Sequence, residues 1–234
     1  MNLKQYKILV VDDDYEIANS IRIYLSNQNY LVHLAHDGLQ ALQIFEKEEI
    51  DLVIMDLMMP KMNGEDATMK IREKSIVPII MLSAKSEDVD KIMGLNIGAD
   101  DYITKPFNPM ELIARVNSAL RRYAKYGTSQ GVGTDKVIRI GGIELDEESK
   151  QLRVDDNEVR VTPLEYKILL LLMSHPGRVF SIEEIYERVW EEPAYSPETV
   201  TVHIRRIREK IEINPKDPRY LKVVWGIGYK FEKH

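Results

Sequence analysis

The sequence contains no cysteine, and this absence removes several chemistries at once. A disulfide framework, a thiolate zinc site and a cysteine nucleophile are all excluded. Long apolar runs are also missing, because no stretch approaches the ~18 consecutive apolar residues of a membrane-spanning helix. The first residues lack the apolar region and the cleavage site of a signal peptide. We therefore expect a cytoplasmic protein with no membrane partner.

Composition and charge limit the number of domains and the kinds of partner that the chain can have. Hydrophobic residues make up 44% of the 234 positions, which is enough to build a core, and the length suggests one large domain or two small ones. The formal net charge is -6, yet the stretch from Thr199 to the end carries nine basic and four acidic side chains. Such a basic stretch is typical of a solvated helix face or of a surface that binds the phosphate backbone of nucleic acid.

Short apolar runs alternate with amphipathic stretches in the first half of the chain. We predict five strands there, at Lys7–Val11, Tyr30–Ala35, Asp51–Met55, Ile79–Ser83 and Asp101–Thr104. Between them, apolar residues recur at helical spacing. Strands that alternate with helices predict an α/β fold with a doubly wound, five-stranded parallel sheet, and a flavodoxin-like strand order is favoured. We place this domain at residues 1–123.

The second half has a different pattern. Residues 124–135 are rich in glycine and small polar residues, which predicts a flexible linker. Several short strands follow, and then three helices, of which the first starts at the capping sequence Thr162-Pro163-Leu164-Glu165 and the third spans residues 196–212. A glycine-containing hairpin over residues 221–231 closes the chain. Residues 136–234 therefore resemble an α+β winged helix-turn-helix domain.

Polar side chains stand at the carboxyl ends of the predicted parallel strands. Asp12 and Asp13 follow the first strand, Asp56 follows the third, Ser83 ends the fourth and Lys105 follows the fifth. A single aspartate in such a place is more often a turn or helix cap. Ligands gather at this edge of open parallel sheets, however, and converging carboxylates repel one another unless a cation joins them. The set therefore predicts a Mg²⁺ site.

Phosphoryl transfer is the reaction that this set of groups supports. A carboxylate beside Mg²⁺ can attack phosphorus and form an acyl phosphate, while the metal and a lysine neutralise charge on the phosphoryl oxygens. Asp56 is then the candidate nucleophile and Lys105 the counter-ion. Asp12 and Asp13 form the metal cradle, and the Ser83 hydroxyl can bond a phosphoryl oxygen.

Four segments resemble the receiver domain of response regulators over residues 5–123. They are Ile8–Asp14 (ILVVDDD), Asp56–Gly64 (DLMMPKMNG), Ser83–Lys85 (SAK) and Asp101–Phe107 (DYITKPF). The resemblance implies that Asp56 is the phosphoacceptor. It also implies that Asp13, Asp56 and the backbone carbonyl of Met58 bind Mg²⁺ directly, and that Asp12 acts largely through water.

The receiver resemblance implies further roles. Lys105 contacts the phosphoryl group and precedes a cis Lys105–Pro106 bond, while Ser83 and Tyr102 form a switch pair that moves inward on phosphorylation. A plain half-buried aromatic is the alternative for Tyr102. A sensor histidine kinase is the implied phosphoryl donor. The resemblance also implies that phosphorylation favours a homodimer that forms through a charged surface. The alternative is that this surface is only a solvated face. The residues of that surface are Lys91, Asp100, Asp101, Glu111, Arg115 and Arg122.

The helix predicted over residues 196–212 has two distinct faces. Val200, Ile204, Ile207 and Ile211 recur at helical spacing and should face the core. Such a pattern leaves an exposed face that suits the major groove of DNA, where arginine pairs with guanine edges and other residues hold phosphates. The residues expected on that face are Thr199, Thr201, His203, Arg205, Arg206, Arg208 and Lys210.

Three segments resemble the DNA-binding domain of the OmpR/PhoB family over residues 136–232. They are Thr162–Tyr166, Val200–Lys210 and Trp225–Lys230, and parts of them are also similar to regulators of vancomycin-resistance operons. The resemblance implies double-stranded promoter DNA and RNA polymerase as partners, and it makes the hairpin a wing. Many members have arginine where Trp225 stands, so Lys222 or Lys230 is expected to hold phosphate at the wing instead. The resemblance implies that five residues face DNA, and they are Thr201, Val202, Arg205, Arg206 and Arg208.

Two other functions compete with a phosphorylation-controlled transcription regulator. An aspartate-nucleophile phosphatase typically needs a second aspartate two residues after the nucleophile, and Met58 stands there. We therefore expect that the chain is not an enzyme for outside substrates and only takes part in phosphoryl transfer to and from its own Asp56. A regulator that binds DNA without phosphorylation is the other alternative, and the intact acidic set argues against it.

Overall fold

A computed structural model describes residues 5–83, 98–127, 137–194 and 196–233. The chain divides into two compact units, Met1–Arg121 and Arg122–His234, and each is treated by itself. Among the described residues, no helix combines the length and the apolar character that a membrane crossing requires.

The first unit is built on a parallel sheet whose strands lie in the order β2-β1-β3-β4-β5. This order is the flavodoxin-like one, so the predicted α/β fold is confirmed. The strands are β1 (Lys7–Val11), β2 (Leu31–Ala35), β3 (Leu52–Asp56), β4 (Ile79–Ser83) and β5 (Asp101–Thr104). The described helices are α1 (Tyr15–Ser26), α2 (Gly38–Lys47), α3 (Gly64–Lys74) and α4 (Pro109–Gly127).

Alternate residues of the inner strand β1 pack into two separate cores, one on each side of the sheet. Ile8 and Val10 lie in the core that also contains residues of α1 and α4. Leu9 lies in the opposite core, with residues of α2 and α3. Because helices cover both faces, the strands are apolar along their whole length, as is usual for parallel sheets.

Side-chain caps fix the loops at the carboxyl edge of the sheet. Asp14 starts α1 by accepting hydrogen bonds from the backbone N–H groups of Glu16 and Ile17, at 2.8 and 3.2 Å. Asn63 starts α3 in the same way by accepting from the N–H of Asp66 at 2.8 Å. Each cap satisfies donors that a helix N-terminus leaves free, and it holds the preceding loop in place.

The second unit is an α+β domain, as predicted, with one core shared by its helices and strands. A four-stranded antiparallel sheet comes first, three helices follow, and an antiparallel hairpin ends the chain. The strands are β6 (Val137–Ile140), β7 (Ile143–Asp146), β8 (Leu152–Val154), β9 (Asn157–Val159), β10 (Leu221–Val224) and β11 (Gly228–Phe231). The helices are α5 (Pro163–Met173), α6 (Ile182–Trp190) and α7 (Thr199–Ile211).

Two predicted boundaries differ from the structure by more than one residue. Helix α4 continues to Gly127 and so includes the first residues of the predicted linker. Tyr126 anchors this extension, because its ring lies 5.5 Å from the Tyr166 ring and its hydroxyl donates to the carbonyl of Lys150 at 3.0 Å. The rest of the predicted linker lies outside the described residues. Helix α7 begins at Thr199 rather than at residue 196, since the preceding residues form a turn.

Candidate functional site

Three aspartates come together at the carboxyl edge of the parallel sheet. Asp12, Asp13 and Asp56 each offer a carboxylate oxygen, and these oxygens all lie within 4.8 Å of one another. Asp12 is fully buried and Asp56 is 5% exposed, whereas Asp13 faces solvent. The strands β1 and β3 are neighbours in the sheet, which is why their ends bring these side chains to one place.

Lys105 joins the two buried carboxylates of this cluster. Its Nζ lies 2.7 Å from Oδ2 of Asp12 and 2.9 Å from Oδ1 of Asp56. The following Lys105–Pro106 bond is cis, as the resemblance implied. The backbone N–H of Lys105 donates to the carbonyl of Ser83 at 2.7 Å, so the ends of β4 and β5 hold the lysine at the cluster.

The cluster raises the pKa values of both Asp56 and Lys105, for different physical reasons. Burial raises the pKa of Asp56 above its ordinary value, and the nearby Asp12 and Asp13 add to this effect, although the contact with Lys105 opposes it. Burial alone would lower the pKa of Lys105, but its ion pairs with Asp12 and Asp56 outweigh burial and raise that pKa. Lys105 therefore stays charged at neutral pH.

The donor set fits a hard divalent cation. Three carboxylates supply oxygen ligands, and the exposed side chain of Asp13 leaves the cluster accessible from solvent. Lys105 compensates at most one of the three negative charges, so a cation is electrostatically favoured there. Mg²⁺ prefers oxygen ligands and keeps several waters, which suits a half-open cluster of this kind. The predicted role of the Met58 carbonyl as a further ligand stays a prediction.

The predicted switch pair lies beside this cluster. Ser83 is the last residue of β4 and is buried, and it pairs in register with Thr104, the residue before Lys105. Tyr102 lies on β5 and is only 5% exposed. The Tyr102 ring is therefore already buried here, and the inward movement that the receiver resemblance implies stays a prediction. A switch at Tyr102 has to exchange one set of buried contacts for another.

Gly64 is a residue of this site that the sequence alone did not single out as critical. A Cβ atom at this position would lie 2.0 Å from the carbonyl oxygen of Asp56. The backbone N–H of Gly64 also donates to the carbonyl of Leu57 at 3.0 Å. The start of α3 is thus packed directly onto the backbone that carries the central aspartate.

We expect Gly64→Ala to destabilise the protein by about 1–3 kcal/mol, because the added methyl group forces the Asp56 backbone to move. Urea unfolding followed by circular dichroism measures the difference. Lys70→Ala, at an exposed position of the same helix, is the matched control and should change stability by less than about 0.5 kcal/mol. Equal stabilities of the Gly64→Ala and Lys70→Ala proteins would contradict the close packing.

Most residues predicted for the charged dimer surface are instead buried and paired within the chain. Asp100 forms an ion pair with Arg72 at 2.6 Å, and Asp101 forms one with Arg115 at 2.8 Å. All four side chains have little exposure, whereas Glu111, which pairs with Arg115 at 2.9 Å, is exposed. The paired charge expected on this surface is therefore present, but Asp100, Asp101 and Arg115 have their partners within the chain, and a dimer contact through these residues stays a prediction.

Arg122, another residue of the predicted dimer surface, is also paired within the chain. It belongs to the second unit, where its Nη1 donates to the carbonyl of Trp190 at 3.0 Å and lies 3.5 Å from the carboxylate of Glu192. The side chain is almost fully buried, since α4 continues into the second unit. Lys91, the remaining member of that surface, lies outside the described residues.

Helix α7 buries a wider arc than its apolar spacing predicts. The four aliphatic residues expected to face the core are buried. Four residues expected to face DNA are buried as well, and they are Thr199, Val202, His203 and Arg206. Their exposure was predicted wrongly because α7 packs against both α5 and α6. The His203 ring, for example, lies edge-on to the Trp190 ring of α6 at 5.5 Å.

Three of the predicted DNA-facing side chains of α7 remain at least partly accessible, and Lys210, which is described below, is a fourth. Thr201 and Arg205 are exposed, although Arg205 also pairs with Glu209 at 3.1 Å. Arg208 is half-buried, its Nε donates to the carbonyl of Leu221 at 2.9 Å, and burial lowers its pKa. Thr201, Arg205 and Arg208 are therefore the helix residues that can reach a nucleic acid.

One buried ion pair in this domain was missed from the sequence. Glu165 is buried, accepts a hydrogen bond from the backbone N–H of Thr162 and pairs with Lys210 at 2.5 Å. Burial opposes ionisation of Glu165, but the charges of Lys210 and Arg206 outweigh it and lower the pKa. Lys210 was expected on the exposed basic face, and it instead ties α7 to the start of α5.

The comparisons with known proteins agree with this arrangement. Residues 8–117 match the family described as response regulator receiver domain, and residues 156–231 match the family described as transcriptional regulatory protein, C terminal. A receiver domain followed by such a C-terminal domain defines a DNA-binding response regulator.

Relatives that match over nearly their whole length show which family of response regulators the chain belongs to. The chain is 45% identical over 228 residues to the regulatory protein VanRc of Enterococcus gallinarum, covering 97% of this chain and 99% of that protein. It is 33% identical to the response regulator DrrB, an OmpR/PhoB homologue of Thermotoga maritima, over 98% of this chain and 100% of that one, with a TM-score of 0.51. The chain belongs to the OmpR/PhoB family of response regulators. It is a transcriptional regulator of a two-component system, and its domains imply a histidine kinase partner and DNA binding.

Proposed function

We propose that Asp56 accepts a phosphoryl group from a sensor histidine kinase, with Mg²⁺ held by Asp12, Asp13, Asp56 and the backbone carbonyl of Met58. The observation that carries the proposal is the convergence of three carboxylates on one edge of the sheet, two of them joined by Lys105. When bound, Mg²⁺ would supply neutralisation of charge on the phosphoryl oxygens.

The chain's own residues have separate tasks in this proposal. Asp56 supplies the attacking carboxylate oxygen, and its contact with Lys105 opposes the rise in pKa that burial causes. Lys105 is held within reach of the same carboxylate and stabilises the negative charge that the phosphoryl group brings. The Ser83 hydroxyl, at the end of the adjacent strand, bonds a phosphoryl oxygen and so detects the modification. Rearrangement at Ser83 and Tyr102 then transmits the phosphorylated state.

The metal site is tested by Asp13→Asn. We expect this substitution to lower Mg²⁺ affinity by at least about 10–100-fold, which is the usual cost of losing even an outer partner of a metal site. Calorimetric titration of the full chain with Mg²⁺ measures the affinity. Asp14→Asn is the matched control, because it also removes one carboxylate charge next to the site. Asparagine caps a helix as well as aspartate does, so the start of α1 should be unaffected. Unchanged affinity in the Asp13→Asn protein would remove Asp13 from the site.

DNA binding is assigned to α7 and to the C-terminal hairpin, which we call the wing (residues 221–231). The exposed Thr201 and Arg205 and the half-buried Arg208 are the helix side chains that can meet base edges and phosphates. Lys222 and Lys230 lie on the wing and are partly exposed. Together with the basic charge of residues 199–234, these positions support a phosphate-binding surface.

Phosphorylation favours a homodimer in this proposal, and the dimer places two DNA-binding domains on paired half-sites. Because Asp101, Arg115 and Glu111 pair within one chain, dimerisation has to exchange some of these contacts for contacts across the interface. RNA polymerase is the proposed partner of the DNA-bound dimer, on the grounds of family membership alone.

The dimer proposal is tested by light scattering on Arg115→Ala with acetyl phosphate and Mg²⁺. We expect the donor-dependent increase in mass to disappear, because Arg115 anchors both acidic partners. Glu111→Ala removes only the exposed partner and should reduce the increase rather than abolish it. Thermal unfolding shows whether either variant is folded. A folded Arg115→Ala protein that dimerises as wild type does would contradict this interface.

A further inference from the structure

The tip of the wing exposes two large apolar side chains. Trp225 is 87% exposed and Ile227 is 61% exposed, and they flank Gly226 in the three-residue turn between β10 and β11. Gly226 has a φ of +75°, and no atom would approach a Cβ there within 4 Å, so the turn projects away from the domain. Apolar side chains displayed together in this way mark a surface for interaction.

The strands behind the tip carry an unusual charge pattern. Lys222 and Lys230 are directly opposite each other in the antiparallel ladder. Like charges in that position destabilise a hairpin, and the pair of Lys230 with Glu232 at 3.0 Å offsets only one of them. A pair of this kind is suited to a partner that brings closely spaced negative charge, as a nucleic acid backbone does.

The wing is fixed in position beside the recognition helix α7. The Tyr229 hydroxyl lies 3.5 Å from Oγ1 of Thr201, and the Arg208 guanidinium lies over the Tyr229 ring at 5.8 Å. The other side of the wing is equally close-packed, because a Cβ at Gly228 would lie 1.9 Å from the carbonyl oxygen of Phe180. A duplex that binds Thr201 and Arg208 therefore meets the wing as well.

We propose that the wing tip binds double-stranded DNA by apolar contact rather than by an arginine. Trp225 and Ile227 pack against the sugars and base edges of the groove next to the one that holds α7, and Lys222 and Lys230 bind the phosphates between the two grooves. Apolar side chains are used in this way by proteins that enter a groove and open base steps. The inference rests on the proposed DNA-binding function, which its test keeps separate.

The intrinsic tryptophan fluorescence of the chain can report on this contact. Of its two tryptophans, Trp190 is fully buried and Trp225 is exposed, so acrylamide quenches the fluorescence of Trp225 selectively. The probe DNA is a duplex recovered by selecting binding sites from random sequence with the full-length protein. We expect saturating duplex to reduce acrylamide quenching several-fold. The Trp225→Phe protein, which reports only Trp190, is the matched control and should show no such change.

Affinity and its salt dependence separate apolar contact from charge. We expect Trp225→Ala to weaken binding by about tenfold, within the range for losing one aromatic contact with a base, and to leave the slope of log K against log salt unchanged. Lys222→Ala should instead lower that slope by about 1, as expected for one phosphate contact. Circular dichroism confirms that each variant is folded.

The outcomes distinguish the inference from the function on which it rests. If wild type binds no duplex at all, the proposed DNA-binding function fails and the inference fails with it. If duplex binds while Trp225 stays as quenchable as before, DNA binding holds and the apolar wing contact is overturned. Protection of Trp225 that needs no DNA and grows with protein concentration would also overturn it, because the tip would then contact a second copy of the chain.

Discussion

Asp56→Asn should abolish incorporation of a phosphoryl group from acetyl phosphate in the presence of Mg²⁺. Asparagine keeps the shape of the side chain but removes the carboxylate oxygen that forms the acyl phosphate. Asp56 is also one of the three converging carboxylates, so the variant also removes one negative charge from the proposed metal site. We expect intact-mass spectrometry to show phosphorylated wild type and no phosphorylated variant.

Asp66→Asn is the matched control for that experiment. Asp66 is an exposed carboxylate in the first turn of α3, the helix that follows the Asp56 loop, so it reports on non-specific acylation of surface acids. Its substitution should leave phosphoryl incorporation unchanged. Phosphorylation of the Asp56→Asn protein to the wild-type extent would show that another residue is the acceptor.

Lys105→Met should destabilise the metal-free protein at neutral pH by about 3–5 kcal/mol, which is the usual cost of removing one partner of a buried ion pair. The substitution leaves the buried carboxylates of Asp12 and Asp56 without the ammonium that now lies within 2.9 Å of both. Lys61→Met is the matched control. Its ion pair with Asp37 is as short, but the lysine is 61% exposed, so we expect a loss of about 1 kcal/mol or less.

The same variant has a predictable pH dependence. Contact with Lys105 lowers the pKa of Asp56, so its removal raises a pKa that burial already places above the unfolded value. A carboxyl whose pKa is higher in the folded state takes up its proton there first as the pH falls. Acidification from pH 7 toward the folded pKa should therefore restore part of the lost stability, and Mg²⁺ should do the same at neutral pH.

Unfolding of Lys105→Met in urea at several pH values, with and without Mg²⁺, measures these effects. The variant's deficit relative to wild type should shrink as the pH falls and as Mg²⁺ is added. A deficit that is constant across pH and metal concentration would show that Lys105 contributes packing rather than charge compensation.

The parallel sheet and the acidic cluster could be predicted from sequence because both follow from local patterns. Five apolar runs alternate with segments that have helical spacing, and this alternation predicts both the layered fold and the sheet edge at which ligands gather. Asp12, Asp13 and Asp56 each directly follow or end such a run. Three strand bounds were wrong, each by only one residue, and they are the starts at Leu31 and Leu52 and the end at Asp56. These features depend on neighbours in the chain, which a sequence displays directly.

The state of the charged residues could not be predicted in the same way. Arg72 and Asp100 are 28 positions apart, and Arg122 and Trp190 are 68 positions apart, so no local pattern shows that they pair. A charged residue on an amphipathic helix is assigned to solvent by default, and here tertiary partners bury it instead. The burial of Asp100, Asp101 and Arg115 was missed for this reason, while the dimer surface itself stays a prediction.

Helix α7 shows a second limit of prediction from sequence. Helical spacing identifies an apolar stripe, but the width of the buried arc depends on how many elements pack around the helix. Helix α7 contacts two helices, so His203 and Arg206 are buried beside the aliphatic stripe. Trp225 was visible in the sequence as a departure from the family pattern, whereas its exposure at the wing tip is a property of the structure.

The central claim is that phosphorylation of Asp56 controls DNA binding, and selection of binding sites from random DNA tests it most directly. Selection is run with and without acetyl phosphate and Mg²⁺, on wild type and on Asp56→Asn. We predict that the donor enriches two half-sites spaced by about one helical turn for wild type, and that Asp56→Asn shows no such enrichment. Recovery of the same sites at the same yield without the donor, or with the Asp56→Asn protein, would contradict the claim and favour a regulator that binds DNA without phosphorylation.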